Sequence, residues 1–289
     1  MNDPLAGLLS ALDLTDTGAR TNEDIFTGPS QWMPLGRVFG GQVLAQSVVA
    51  ASRTVTDDRS IHSLHGYFLR PGDVELPITF SVDRIHDGRS FSTRRTQAYQ
   101  RGLPILSMIA SFQDEDPGLD HQIEMPDDIP DPESLPSDEE LLRAIDHPVA
   151  QYWATGRPFD MRHVGSPVYF PGTGDQTAHQ AVWMKATGPL PDDRNLHRAA
   201  LAYASDYSIL ESVLRRHGIT WGSPGLKVAS LDHAMWWHRF GRVDEWMLYL
   251  QESPTAIGGR GLATGRIYSR DGVLLASVAQ EGMVRIPEA

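Results

Sequence analysis

The sequence predicts an α+β fold built from two copies of one unit, each a long helix packed on an antiparallel sheet. Three observations predict it. An acidic, proline-rich window divides the 289 residues near the middle. Each half reads as one helical pattern followed by several strand-like runs. Short matches recur in both halves in the same order. One such unit leaves a helix face and strand edges bare; two joined edge to edge bury both.

The window comes first because it sets the boundaries. Residues 114–140 hold twelve acids and no Lys or Arg, with Pro117, Pro126, Pro130, Pro132 and Pro136. This composition predicts a solvated, extended connection over 114–150 between a unit at 1–113 and a second at 151–289.

In the first unit, Phe39-Gly40-Gly41-Gln42 precedes Val43, Leu44, Val48 and Val49 at helical spacing. Strand-like runs follow at 61–69, 76–86, 91–101 and 105–112. Arg101-Gly102 supplies a hairpin turn between the last two. In the second unit, Leu196, Ala199, Ala200 and Tyr203 form one helical pattern, and Ile209, Leu210, Val213 and Leu214 another. Arg215, Arg216, His217 and Gly218 make a basic last turn and a glycine stop. Strands are predicted at 228–237, 245–252, 261–269 and 273–280, with Asp271-Gly272 as the turn before the last. Across the copies, Ser63-Leu64 matches Ser230-Leu231, Gly102 and Ser107 match Gly272 and Ser277, and Ser47-Val48-Val49 matches Ser212-Val213-Leu214.

Composition removes several classes of function. Zero Cys excludes disulfides, a thiolate nucleophile and Cys-bearing zinc sites. The formal charge is −12, but the acidic window accounts for all of it; outside it 25 acids face 25 bases. No basic stripe supports nucleic-acid binding. No apolar run approaches the roughly 18 residues of a membrane span, and the N-terminus lacks a basic start. A cytoplasmic location is the expectation.

The chemistry-bearing residues are few. His62 and His65 form an H-x-x-H, but three residues apart on a strand they face opposite ways, so no metal is expected there. Gly172-Thr173-Gly174 opens a dinucleotide-like string in which Thr177 stands where the third glycine belongs. Asp206 interrupts an apolar helical region. It is either a polar break where a helix restarts or a carboxylate held against the sheet as a base. Ser230, Asp232 and His233 make a Ser/His/Asp nucleophile thinkable. Strand alternation works against it, because Ser230 and Asp232 share a face that His233 does not. Gln280 ends the last apolar strand. In the repeat alignment Asp206 falls opposite Gly41, Ser230 opposite Ser63 and Gln280 opposite Ala110. The second copy thus carries polar groups where the first carries small ones, the pattern of one working copy and one structural copy.

Six ordered motifs together resemble acyl-CoA thioesterase II. They are Arg37-Val38-Phe39-Gly40-Gly41-Gln42-Val43, His65-Gly66-Tyr67-Phe68-Leu69-Arg70-Pro71-Gly72-Asp73 and Asp87-Gly88-Arg89-Ser90-Phe91-Ser92 in the first half. In the second they are Tyr203-Ala204-Ser205-Asp206, Ser230-Leu231-Asp232-His233 with Met235-Trp236, and Asp271-Gly272-Val273-Leu274 running on to Gln280-Glu281-Gly282. The resemblance covers nearly the whole chain, with the acidic window its loosest part. It implies a tandem double hotdog and hydrolysis of fatty acyl-CoA to free acid and CoA, with no cofactor. It implies a catalytic trio of Asp206, Ser230 and Gln280, with Ser230 standing where some members have Thr. Asp206 would serve as base, and Ser230 and Gln280 would hold the attacking water. The helix start at Gly40 and Gly41 is the expected backbone contact for the oxyanion. Arg89, Arg94 and Arg260, with Arg95 and Arg266, are candidates for the CoA phosphates; the plain alternative is solvated strand-edge arginines. Met235, Trp236 and Trp237 either line the acyl tunnel or belong to the core.

Rival functions leave marks of their own. A hotdog hydratase carries a His about five residues after the Asp; Glu211 stands there instead, and no His occurs before His217. A non-catalytic acyl-CoA-binding module would bind without turnover. Exposed sheet edges favour a homodimer or higher homo-oligomer.

Overall fold

In the computed structural model, residues 3–19, 21–169 and 175–286 are described; the Gly172-Thr173-Gly174 string lies outside them. The first half runs α1 (Pro4–Leu12), β1 (Thr15–Asp16), β2 (Asp24–Gly28), α2 (Gly40–Ser52), β3 (Arg59–Phe68), β4 (Ile78–Asp87), β5 (Phe91–Gln100) and β6 (Leu103–Asp114). A short 3₁₀ turn at Pro132–Ser134, α3 (Asp138–Leu142) and α4 (Pro148–Thr155) follow. The second half runs β7 (Phe159–Val164), β8 (His179–Ala186), α5 (Arg194–Ser205), α6 (Glu211–Arg216), β9 (Lys227–Ser230), β10 (Asp232–Trp237), β11 (Met247–Ile257), β12 (Arg260–Ser269) and β13 (Leu274–Arg285).

The strands join in one antiparallel sheet of order β1-β2-β4-β5-β6-β3-β10-β13-β12-β11-β8-β7, with β9 also paired to β13. The seam between the copies is β3 on β10, from Ser63 opposite Trp236 to Tyr67 opposite Asp232. Each half contributes the same order of strands outward from this seam. The duplication reaches small irregularities: the β5–β6 register shifts at Ala98/Tyr99, and β12–β13 shifts at Ile267/Tyr268. Arg101 and Gly102 both have positive φ, which closes the first of these hairpins as a type I′ turn.

The two long helices pack against each other inside the curve of the sheet. Nearly every residue of α2 from Gly41 to Ser52 is buried, so its polar positions require partners. Gln42 donates to Pro29 O and Gln46, and Gln46 donates to Ala11 O and Pro29 O. Small residues let α5 approach closely: Ala199, Ala200, Ala202 and Ala204 are fully buried. This is the double hotdog that the sequence predicts. No described helix is long and apolar enough to cross a membrane.

The elements missing from the sequence reading are α1, β1, β2, β7 and β8, with α3 and α4. The connection between the halves is also more structured than an extended solvated chain. Residues 115–131 carry no helix or strand, yet Trp183 Nε1 donates to Pro130 O at 2.9 Å and Gln122 bonds both Gly272 O and Leu274 N. Asp131 and Glu133 meet Arg270 at 2.7 and 2.9 Å. Ser137 then opens α3 with a capping box.

Candidate active site

α5 ends at Ser205 because Asp206 takes the C-cap, and the chain restarts as α6 at Glu211. The Asp206 side chain therefore caps neither α5 nor α6. Its carboxylate reaches across to α2, whose N-cap Phe39 offers no side-chain acceptor, and accepts the Gly41 N–H. An acid from the second copy thus satisfies the N-terminus of the first copy's helix. Space for it exists only because the helix starts on glycines. A Cβ at Gly40 would lie 2.7 Å from Asp206 Oδ2, and one at Gly41 would lie 2.4 Å from Tyr203 O.

Three hydrogen bonds tie the predicted trio together. Ser230 Oγ donates to Asp206 Oδ1 at 3.0 Å. Gln280 Nε2 donates to Asp206 Oδ1 and to Ser230 Oγ, both at 2.9 Å. Burial raises the Asp206 pKa above the ordinary value of 3.8, against the hydrogen bonds from Gln280, Ser230 and the Gly41 N–H. A buried carboxylate whose affinity for protons is raised suits a base working near neutral pH. Asp206 and Ser230 face a cavity of about 510 Å³. Its walls come from both copies and from α4: Phe39 and Phe68, Leu210 and Ala229, Tyr152 and Trp153.

Behind Gln280 lies a pair the sequence reading set aside. His233 Nδ1 contacts Gln280 Oε1, and His233 Nε2 lies 3.0 Å from Ser205 Oγ. Strand alternation fails here because Leu231 belongs to neither β9 nor β10; its N–H goes to Glu281 O and its carbonyl accepts from Phe68 N. The irregular residue lets both Ser230 and His233 reach Gln280. Asp232 turns aside and accepts the Glu281 N–H at 2.7 Å. Ser230 bonds Asp206 and Gln280 rather than His233, so Ser230, Asp232 and His233 do not make a serine nucleophile.

Other expectations need correction. The strand pairing supports Gln280 opposite Ala110 but moves the counterpart of Ser230. Ala110 pairs with Leu64 and Ala279 with Ala234, which sets Ser63 beside Asp232 in the repeat and Ser230 two residues earlier. Arg94 is buried and directs its five N–H groups at Thr54 Oγ1, Thr54 O, His86 O, Thr93 O and Asp87. It closes the C-terminal end of α2, about 20 Å of helix from Gly40, and has no donor left for an anion. Arg89 belongs to the adjacent β4–β5 turn at the same far end. Arg260 lies near the site, 3.0 Å from Glu281. Met235 and Trp237 are core, and Trp236 packs on His65; none of the three lines the cavity. His62 bonds Ser111. Among the described residues no group of three or more His, Cys, Asp or Glu is placed to hold a metal.

Comparison with known proteins gives the class. A family model described as acyl-CoA thioesterase matches residues 154–283, and one described as acyl-CoA thioesterase N-terminal domain matches 28–113. The chain is similar to acyl-CoA thioesterase 2 of Haemophilus influenzae, 37% identical over the full length of both. It is 38% identical to human acyl-coenzyme A thioesterase 8, over 98% of this chain and 92% of that one. Among solved structures it resembles acyl-CoA thioesterase II TesB2 from Mycobacterium marinum, with 42% identity, a TM-score of 0.79, and 97% and 99% of the two chains covered. A hot dog fold protein from Alicyclobacillus acidocaldarius shares the architecture at 18% identity and the same TM-score. The chain belongs to the acyl-CoA thioesterase family, and on that ground it is a thioester hydrolase acting on acyl-CoA.

Proposed function

We propose that this protein hydrolyses fatty acyl-CoA by direct attack of water, with Asp206 as general base, Ser230 as the group that orients the water and Gln280 as the group that holds both side chains in place. The observation that carries this reading is the buried Gln280 amide bridging the Asp206 carboxylate and the Ser230 hydroxyl, the two groups of the trio that line the cavity. Asp206 takes a proton as the water oxygen bonds to the thioester carbonyl carbon. The tetrahedral oxyanion then collapses, the C–S bond breaks, and CoA leaves as the thiolate, which takes up the proton. Neither Ser230 nor His233 need form an acyl-enzyme. The Gly41 N–H is spent on Asp206, so the oxyanion contact is assigned to the Gly40 side of the α2 start.

Arg37 and Arg70 line the cavity, and we assign the CoA phosphates to them. Arg260, already paired to Glu281, stands outside the cavity wall. Tyr67 and Ile109 are exposed large apolar residues on paired strands, and they support assembly with further copies of the chain.

The test is CoA release from short-, medium- and long-chain acyl-CoA by wild type and Asp206→Asn. The substitution should lower turnover roughly 10²- to 10⁴-fold while binding persists. Wild-type activity should fall on acidification through a pKa above 3.8, the direction set by burial of Asp206. Binding of the panel without turnover would make the protein a binding module. Equal activity of the folded variant would remove Asp206 from the chemistry.

A further inference from the structure

We propose that His233 is a positioning residue that fixes which end of the Gln280 amide faces Asp206. The inference rests on the reading of Asp206, Ser230 and Gln280 given above. His233 is 1% exposed and does not line the cavity, so it acts through another group or not at all.

An amide side chain can sit in its site two ways round, and only its partners choose. Ionised Asp206 accepts and cannot donate. Gln280 must therefore present its NH₂ to Asp206, and the same NH₂ serves Ser230. The amide oxygen then points back into the core at His233 Nδ1. A buried carbonyl there requires a donor, so Nδ1 must carry the proton. The Nε2 lone pair is left facing Ser205 Oγ at 3.0 Å; that hydroxyl also lies 2.9 Å from Ala202 O, so this arrangement requires its single proton to turn from Ala202 O to Nε2. Burial holds the ring below its ordinary pKa, in the neutral form that this arrangement uses.

The other tautomer reverses the arrangement. With the proton on Nε2, the Nδ1 lone pair would face the amide oxygen and favour the turned amide. The turned amide would present its oxygen to the Asp206 carboxylate and lose both donors that hold the trio. Asp206 and Ser230 fix the order of donors from the Gln280 end, and the neutral Nδ1–H ring matches it.

Asn and Gln at position 233 separate this role from simple packing. Both are polar, but only Asn carries its amide nitrogen near the place of Nδ1. We expect His233→Asn to keep kcat within about three-fold of wild type. His233→Gln should lose about 10- to 100-fold in kcat with KM changed by less than about three-fold. In a Gln280→Ala background the two substitutions should be equivalent, because the amide they act on is gone. The ¹⁵N shifts of the wild-type imidazole should report a neutral Nδ1–H ring, a readout that needs no variant to fold. Equal kcat for Asn and Gln, a difference that survives in Gln280→Ala, or an Nε2–H ring would each overturn the proposal. Failure of the parent reading shows separately, as an Asp206→Asn enzyme with full turnover.

Discussion

Asp206 stands between two opposed demands. Burial penalises its charge, while the Gly41 N–H, Gln280 and Ser230 compensate in part. The glycines make the arrangement possible. Gly41→Ala would drive a methyl group against the Tyr203 carbonyl and the Phe39 ring, both within about 2.5 Å. The helix must then shift off α5. Overpacking of this kind costs roughly 1–3 kcal/mol, so the variant should unfold at lower denaturant and lose activity together. An active variant of unchanged stability would mean that α2 has room to move. At this scale the sequence was partly legible. From the residues alone Asp206 was ambiguous between a helix break and a base, and family resemblance selected Ser230 and Gln280. His233 was visible but dismissed, because regular alternation cannot anticipate the break at Leu231.

Among the elements, the connection between the halves departs furthest from its composition. Twelve acids predicted a solvated segment, but Asp138 is buried beneath α4. It accepts from Arg157 at 3.2 Å and Tyr169 at 2.7 Å, and His163 Nδ1 lies 3.2 Å away. His163 Nε2 in turn meets Glu211 at 3.1 Å. Two buried carboxylates and two buried cations thus fasten α3 and α4 to β7 and α6. The guanidinium of Arg157 lies over the rings of Trp153 and Tyr207, which line the cavity. Removing one partner leaves an uncompensated buried charge, so Asp138→Asn should cost roughly 3–5 kcal/mol; a loss below 1 kcal/mol would show the cluster is not closed. Burial works against the charge of His163, but the Asp138 and Glu211 carboxylates prevail and lift its pKa to about 9. A folded pKa above the unfolded value of 6.5 stabilises the fold fully below that value. The contribution is lost as pH rises toward and through about 9. Urea titrations between pH 6.5 and 9 should show this decline, and a flat profile would refute it.

At the scale of the whole molecule, one sheet and one helix pair are shared by both copies. The seam strands β3 and β10 carry Leu64 opposite Met235, both fully buried. Leu64→Ala should cost about 2–5 kcal/mol. It should also shift one cooperative unfolding transition rather than split it, because the main core is shared by both halves. Two separated transitions in denaturant, read by fluorescence and by circular dichroism, would contradict this. The proposed active site is a product of the same fusion. Asp206, Ser230 and Gln280 come from the second copy, while Gly40, Gly41, Phe39 and Phe68 come from the first.

The sequence by itself determined the class, the duplication and the main elements. Period-3.6 and period-2 patterns mark α2, α5, β3 to β6 and β10 to β13, and turn chemistry marks their hairpins. Those are local signals, carried by residues near one another in the chain. Tertiary structure alone decided that Asp206 caps the other copy's helix, that Arg94 is spent on α2, and that Asp138 is buried. It also decided that His233 stands behind Gln280. Each depends on a partner 19 or more residues away, or on one irregular backbone position. Burial and pairing of charge are set by that encounter, and no local pattern encodes it.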